Sequence, residues 1–232
     1  MAKPRATKAK DKSRRKGGSK DEDRIVQAAL DLIAESGWRT LTLEDVARRA
    51  NLGVDAVRAL FPKRDALLQA FFRQIDDQVA AEGTYSPDDP NPTRDRLFDV
   101  LMRRFDALNA HRAAMVALMR DLPFDPPAAA KAACRMCRAL KETLKIAGLS
   151  TRGPLGILRL KGVIAIYLNA LRVWLSDETS DLSPTMAALD KGLRAAEVVM
   201  AALKGFGARA PGRPNQGTDD STPRRPARKP SA

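Results

Sequence analysis

Apolar residues recur three and four positions apart along most of this chain, the spacing that places side chains on one face of an α-helix. Between Asp21 and Gly37, for example, an apolar stripe begins at Ile25 and ends at Ile33. No stretch shows the apolar and polar alternation of a strand, and no internal repeat is visible. We therefore predict an all-α fold of about nine helices, at residues 21–37, 42–50, 54–60, 64–81, 93–110, 111–122, 127–147, 154–176 and 183–203.

Two short helices near the start of this pattern form one unit. Thr42 is a suitable N-cap because its hydroxyl can accept a hydrogen bond from a free backbone N–H, and Asp45 completes a capping-box-like pair. Residues 51–53 break the helix before the second one follows. That second helix turns Val57 and Phe61 inward. Its outer face carries small and charged residues, which is compatible with entry into the major groove of DNA: Asp55, Ala56, Arg58 and Ala59.

Residues 22–75 resemble the TetR family of bacterial transcriptional regulators. The resemblance rests on residues in the family's order and close to its spacing: Gly37, Thr42, Val46, Ala47, Ala50, Val57, Phe61, Leu67 and Leu68. It implies a TetR-like fold in which a helix-turn-helix head of three helices, within residues 21–82, precedes a helical ligand-binding and dimerisation body, residues 83–203. It also implies a homodimer on double-stranded DNA, and a repressor that a small hydrophobic ligand releases from a palindromic operator.

The chain departs from the family's pattern on the surface that would contact DNA. Arg58 stands where the family usually has Tyr, and Leu60 stands where it usually has His or Tyr. Arginine contacts phosphate or guanine at least as well as Tyr, whereas Leu60 makes no polar contact. The expected contacts are Thr42 to phosphate, Asp55, Ala56 and Ala59 to bases, and Arg58, Lys63 and Arg64 to the DNA backbone.

The body offers a candidate lining for a ligand. Flexible thioethers and aromatic rings suit an adaptable pocket between helices. The same residues are also the usual content of a helical core, so both interpretations stay open. The candidate residues are Phe98, Met102, Phe105, Met115, Met119, Tyr167 and Trp174.

A second, shorter resemblance covers residues 165–195. This segment is similar to the closing segment of the ubiquinone-biosynthesis lipid-binding proteins, which have a TetR-like fold, and the matching residues are Trp174, Asp177, Ser180, Asp181, Thr185, Leu189 and Asp190. It implies an alternative function, a lipid-binding accessory protein of ubiquinone biosynthesis with a vestigial helix-turn-helix. The other interpretation is that residues 177–183 form a capped loop and the final two helices form a dimer face, as in most TetR-like proteins.

The two ends of the chain carry all of its formal net charge of +13. Residues 1–20 hold nine basic residues and one acidic residue, and residues 204–232 hold seven basic and two acidic residues. Neither segment has hydrophobic periodicity, so both are predicted to be disordered arms. The first arm either follows DNA phosphates beside the operator or only keeps the protein in solution. The 44% hydrophobic content of the chain predicts a globular protein between the arms.

The location follows from the apolar runs. No such run follows the basic start of the chain, and the run at residues 163–171 is much shorter than the roughly 20 residues that cross a bilayer. We expect a cytoplasmic protein, associated with the nucleoid when bound to DNA, without stable membrane insertion.

Catalytic chemistry has no candidate residues. The single histidine, His111, is expected to pack in the core, and Cys134 and Cys137 are expected to be reduced thiols on one helix face, without further metal ligands. The chain has no Ser-His-Asp set and no Gly-rich phosphate loop. We therefore expect no enzymatic activity, no metal and no cofactor.

Overall fold

The computed structural model describes residues 6–207. Within that range the regular structure consists of nine α-helices and one turn of 3-10 helix at Leu122–Phe124, so the predicted all-α, TetR-like fold is confirmed. The helices are α1 (Ala6–Ser36), α2 (Leu43–Ala50), α3 (Val54–Leu60), α4 (Arg64–Ala81), α5 (Thr93–Asn109), α6 (Arg112–Asp121), α7 (Pro126–Ile146), α8 (Gly153–Ser176) and α9 (Ser183–Gly207).

The first helix differs most from its predicted bounds. It begins at Ala6, whereas the sequence predicts a helix from Asp21 and a disordered arm before it. Alanine, lysine and arginine favour a helix, and extending an existing helix avoids the free-energy cost of nucleation. At the other end α9 continues to Gly207, four residues past its predicted end. The remainder of the two predicted arms, residues 1–5 and 208–232, lies outside the described residues.

Helices α1 to α4 pack around one apolar centre. Helix α1 contacts α2 and α4, and its residues Ile25, Ala29 and Ile33 are buried together with Val46 and Phe71. The stripe predicted for α1 therefore faces the core, although Leu32 is only partly buried. This packing fixes the orientation of the short helices α2 and α3.

The body continues the same apolar core. Helix α6 packs against α1, and both α5 and α7 pack against α4, so three body helices contact the head directly. Leu101, Leu118 and Leu140 are fully buried at the centre of the body. One compact unit extends to Glu197, and the chain from Val198 belongs to a second unit. The division into a head at residues 21–82 and a body at residues 83–203 stays a prediction.

Candidate DNA-binding surface and polar sites of the body

Local hydrogen bonds close both ends of α2, including the turn that leads to α3. The Thr42 hydroxyl accepts a bond from the Asp45 backbone N–H (3.1 Å) and donates one to the Asp45 carboxylate (2.6 Å). At the other end of α2, Asn51 has a positive φ of 53°, and the Leu52 N–H donates to the Ala47 carbonyl (3.0 Å). Asparagine tolerates this left-handed conformation better than most residues. Gly53 then precedes the first turn of α3.

Helix α3 has one buried face and one exposed face. Val57 and Phe61 are buried, which anchors the helix on the head. The four residues predicted to face DNA bases or phosphates, Asp55, Ala56, Arg58 and Ala59, are all exposed. Leu60 is exposed too, although it is apolar. The exposed face is therefore available to a partner, while its contact with DNA stays a prediction.

Arg58 already has a partner within the chain. Its guanidinium forms a salt bridge with Glu44 of α2, and both side chains are about half exposed. The pair links α2 to α3 across the turn. The sequence does not identify Glu44 as the partner of Arg58, since the contact depends on how the two helices cross.

Arg64 lies at the junction of head and body. Its guanidinium donates to the Asp125 carboxylate (2.7 Å) and stands over the Trp38 ring, with its central carbon 4.8 Å from the ring centroid. Lys63, the residue before it, is exposed and precedes the first turn of α4. Of the three predicted backbone contacts, Arg58, Lys63 and Arg64, only Arg64 is thus held in this junction.

Two aspartates complete the junction. The Asp121 carboxylate accepts bonds from the backbone N–H groups of Trp38 (2.8 Å) and Arg39 (3.4 Å), and Asp125 accepts one from the Trp38 indole N–H (3.1 Å). The backbone N–H of Ala128 and the Trp38 indole hold the pKa of Asp125 below its usual value. At Asp121, desolvation by partial burial would raise the pKa. Hydrogen bonds from the Arg120 side chain and from the backbone outweigh this effect and lower it.

The candidate ligand residues of the body pack against one core. The Phe105 and Tyr167 rings stack with centroids 5.2 Å apart, and the Trp174 ring centroid lies 6.2 Å from that of Phe105. Met115 is also buried. Phe98, Met102 and Met119 are partly buried on the edge of the same core. Contact with a ligand stays a prediction for all seven residues.

Beside this core lies a buried charged cluster. Asp76 of α4 accepts a hydrogen bond from Arg104 of α5 (2.6 Å) and another from Arg135 of α7. The Arg104 side chain is only 5% exposed. Desolvation opposes its charge, but Tyr167 and Asp76 outweigh that effect and raise the pKa of Arg104. This cluster is not predicted from the sequence, because no local pattern identifies an arginine that points inward.

Two grooves lie elsewhere on the described surface. One, of about 600 Å³, lies between α4 and α7 and is lined by residues from Pro62 to Gln69 and from Ala130 to Arg138. The other, of about 480 Å³, lies between α1 and α6, and Arg112 and Val116 are among its lining residues. Neither groove is lined by any of the seven candidate ligand residues.

The loop between α8 and α9 is closed by one carboxylate. Asp177 accepts hydrogen bonds from the backbone and hydroxyl of Thr179 (3.0 and 2.6 Å) and of Thr185 (3.1 and 2.6 Å). Burial alone would raise the pKa of Asp177, but these four bonds lower it to about 2. Ser183, predicted as the N-cap of the last helix, is its first residue instead, and Leu182 before it has a positive φ of 53°. The remote Asp177 accepts the Thr185 N–H in the first turn, so a side chain outside the helix performs the capping.

The apolar part of helix α8 is longer than the predicted run. Its 24 residues are long and apolar enough to cross a membrane by length and composition, whereas the predicted apolar run covered only residues 163–171. Only 28% of its most apolar window is buried, and Leu155, Ile157, Leu158 and Leu168 are exposed. On α9, Gly192 lets the helix approach α8 closely, since a Cβ there would lie 2.9 Å from Ile166.

The single histidine precedes α6, and the two cysteines lie on α7. The His111 ring is partly buried, edge-on to Phe71 with centroids 5.3 Å apart, and burial lowers its pKa. Cys134 is exposed and Cys137 is partly buried, and both are free thiols.

Comparisons with known proteins agree on the fold. Residues 25–71 match the family model described as "Bacterial regulatory proteins, tetR family". The structure is similar to a TetR transcriptional regulator from Nitrosomonas europaea ATCC 19718, with a TM-score of 0.61 and 23% identity over 76% of this chain and 98% of that chain. A TetR transcriptional regulator from Rhodococcus sp. RHA1 gives a TM-score of 0.56 and 19% identity over 76% and 96% of the two chains. The multidrug binding protein EbrR, complexed with imidazole, gives a TM-score of 0.50 and 20% identity over 73% of this chain and 88% of that chain.

No curated protein matches the sequence. The resemblance found in the sequence is nevertheless confirmed at two levels, the local match of the helix-turn-helix segment and the fold of the described chain. Residues 25–71 are therefore a helix-turn-helix segment of the TetR family of bacterial regulatory proteins, on a chain with the TetR-like fold.

Proposed function

We propose that this protein is a DNA-binding transcriptional regulator, a homodimer that represses from a palindromic operator until a small hydrophobic ligand releases it. The observation that supports DNA binding best is α3: its inner face is buried at Val57, and its outer face presents only exposed residues. The match of residues 25–71 to bacterial regulatory proteins supports the same proposal. Its site of action would be the cytoplasm, on the nucleoid.

Dimerisation follows from the reach of the recognition helix. Helix α3 has seven residues and reads at most one half-site, so a specific site requires two copies related by a two-fold axis. The exposed apolar side chains of α8, such as Ile157 and Leu168, supply a surface for the second copy. This use of α8 also accounts for its apolar character without a membrane.

Release by a ligand has two sources of support. The body holds rings and thioethers around Phe105, and body helices α6 and α7 contact head helices α1 and α4 directly. A protein of similar fold, EbrR, is a multidrug binding protein. A ligand that favours one arrangement of these helices would shift the population of heads away from the spacing that fits the operator.

Binding to genomic fragments followed by sequencing tests the proposal. We expect one short palindrome to be enriched, both by the full chain and by a chain that lacks residues 1–20. The truncated chain should show a shallower salt dependence if the arm contacts phosphates. Salt-sensitive binding without an enriched site would contradict specific regulation.

Point variants test the assignment of the face. Arg58→Ala and Lys63→Ala should each weaken binding to every sequence by about tenfold and reduce the salt slope by about one, since each removes one phosphate contact. Arg73→Ala, exposed on α4, is the control and should bind as the unchanged protein does. Unchanged affinity in both test variants would remove α3 and the start of α4 from the DNA interface.

No observation of the structure favours the ubiquinone-biosynthesis alternative. Two of the residues that carry that resemblance, Asp177 and Thr185, are hydrogen-bonded to each other in the α8–α9 loop, and Trp174 is buried in the core. These positions have structural roles that need no lipid.

A further inference from the structure

The groove between α4 and α7 is strongly basic. Four cationic side chains line this α4–α7 groove, against the single carboxylate of Asp65: Lys63, just before α4, and Lys131, Arg135 and Arg138 of α7. Asp65 pairs with Lys131. Lys63 and Arg138 have no salt-bridge partner among the side chains that the structure describes. The groove therefore carries an excess of positive charge.

Its inner end reaches the buried charged cluster. Arg135 lines the groove and also donates to Asp76, which holds Arg104 as well. Two guanidinium groups thus share one carboxylate, and the three side chains together carry a net charge of +1. The Nε atoms of both arginines are buried and have no hydrogen-bond partner.

Both features favour an anion. A buried charge without a counter-charge and a buried donor without an acceptor each raise the free energy of the folded protein. An anionic oxygen beside Arg135, the one of the two arginines that lines the groove, relieves both at that residue. The lining also includes Pro62, Ala66 and Ala130, which offer an apolar surface between the charged Lys63, Asp65 and Lys131. Ala130 and Arg138 are eight residues apart on α7, which is about 12 Å along a helix.

We propose that the α4–α7 groove binds a small amphipathic organic anion. Its carboxylate or phosphate head contacts Arg135 and Arg138, and its apolar part lies along Ala66 and Ala130. The site is separate from the rings and thioethers predicted to contact a ligand, none of which lines it.

DNA phosphate is the other source of such an anion. The Arg135 side chain is only 18% exposed and lies at the inner end of the groove, so the backbone of a rigid duplex does not reach it. A small molecule is able to enter the groove and reach Arg135. Lys63, at the outer end, is a predicted DNA contact, so an occupied groove would weaken operator binding. That consequence rests on the proposed function, whereas anion binding itself does not.

Octanoate is a suitable probe, because it joins a carboxylate to an apolar chain of about the length of the groove. Cys134 lines the groove and is exposed, so a Cys137→Ser variant reports occupancy through alkylation of its remaining thiol. We expect octanoate to slow alkylation of Cys134 at least fivefold and to raise the melting temperature. 1-Octanol, of equal length but neutral, and inorganic phosphate, without an apolar part, should each protect much less.

Substitutions in the same background identify the head-group site. Arg135→Gln should weaken octanoate binding at least tenfold. Arg138→Gln, at an exposed position that leaves the fold intact, should weaken it several-fold. Arg73→Gln is the matched control and should bind octanoate normally.

Three outcomes would overturn the proposal. In the first, 1-octanol protects Cys134 as well as octanoate does. In the second, Arg135→Gln and Arg138→Gln both bind octanoate as the unsubstituted background does. In the third, an oligonucleotide duplex protects Cys134 and octanoate does not, which would assign the groove to DNA. All binding measurements with octanoate are made without DNA, so a failure of the proposed regulatory function would leave their result unaffected.

Discussion

A single carboxylate, Asp177, joins the last two helices of the compact unit. It is 4% exposed and accepts four hydrogen bonds, two from Thr179 and two from Thr185. These bonds favour the charged form, so the folded protein binds the proton of this group less tightly than the unfolded chain does. The α8–α9 loop should therefore weaken in acid.

The Asp177 pKa gives the pH range of this effect. Because the pKa falls from 3.8 to about 2 on folding, the carboxylate stabilises the protein above pH 4, and that contribution is lost as the pH falls from about 4 to 2. Asp177→Asn should lower the free energy of unfolding by about 2 kcal/mol at pH 7, and its difference from the unchanged protein should vanish near pH 2. Urea unfolding at a series of pH values measures both. Asp88→Asn, in an exposed loop, is the control, and a difference that does not vary with pH would contradict the assignment.

We expect Glu44 to compete with DNA for Arg58. Its salt bridge with Arg58 places a negative charge beside the face that is proposed to meet phosphate. Glu44→Gln should therefore tighten operator binding about fivefold, while an exposed pair of this kind contributes only about 0–1 kcal/mol to stability. Fluorescence anisotropy with labelled operator measures the change. Glu35→Gln, which breaks an exposed pair with Arg49, is the control, and weaker binding by Glu44→Gln would show that Glu44 positions Arg58 instead.

At the scale of elements, the turn after α1 connects head and body. Gly37 ends α1 with φ of +88°, and the next residue, Trp38, donates its backbone N–H to Asp121 at the end of α6. A Cβ at Gly37 would lie 2.5 Å from the Asp121 carboxylate. Glycine is needed here for two reasons, the backbone conformation and the space.

Gly37→Ala should lower the free energy of unfolding by about 2–3 kcal/mol, since it adds strain at positive φ and displaces Asp121 from Trp38. Chemical denaturation measures the loss. Gly53→Ala is a matched control, because Gly53 has φ of −66° and no atom lies within 4 Å of its Cβ position. Its stability should change by less than about 0.5 kcal/mol. Equal effects at the two glycines would contradict the role of the junction.

The same elements show which features a sequence can predict. The bounds of α2, α3 and α4 follow from signals within a few residues, such as the Thr42 cap. The structure has α3 and α4 as predicted, and α2 begins at Leu43, one residue after its predicted start, with Thr42 as the N-cap. The partner of Arg64 does not follow, because Asp125 is 61 residues away and meets it only through tertiary packing. Likewise the start of α1 at Ala6 escapes prediction, since a polar arm without an apolar face gives no periodic signal. Local chemistry thus determines the helix-turn-helix, while the polar sites of the body depend on the fold.

At the scale of the whole molecule, α8 leaves much of its apolar surface exposed. Less than a third of its most apolar window is buried, and Ile157 and Leu168 point to solvent. Exposed apolar area of this extent marks an interaction surface, and a second copy or a lipid bilayer could cover it. Basic residues interrupt the helix at Arg159, Lys161 and Arg172, which suits a protein interface better than the interior of a bilayer.

Leu168→Glu distinguishes the two partners and tests the dimer. A carboxylate within the proposed α8 interface would be buried against apolar side chains of the second copy, so it should shift the protein from dimer to monomer at micromolar concentration, as light scattering after size exclusion measures. Binding to a palindrome should then fall at least tenfold, while the weak binding to a half-site stays unchanged, because the substitution is at an exposed position of α8 and leaves the residues of α3 unaltered. Val116→Glu, an exposed apolar position on α6, is the control and should remain dimeric. If Leu168→Glu remained dimeric and lost only its association with phospholipid vesicles, α8 would be a membrane contact, and the two heads would have to be paired by another surface.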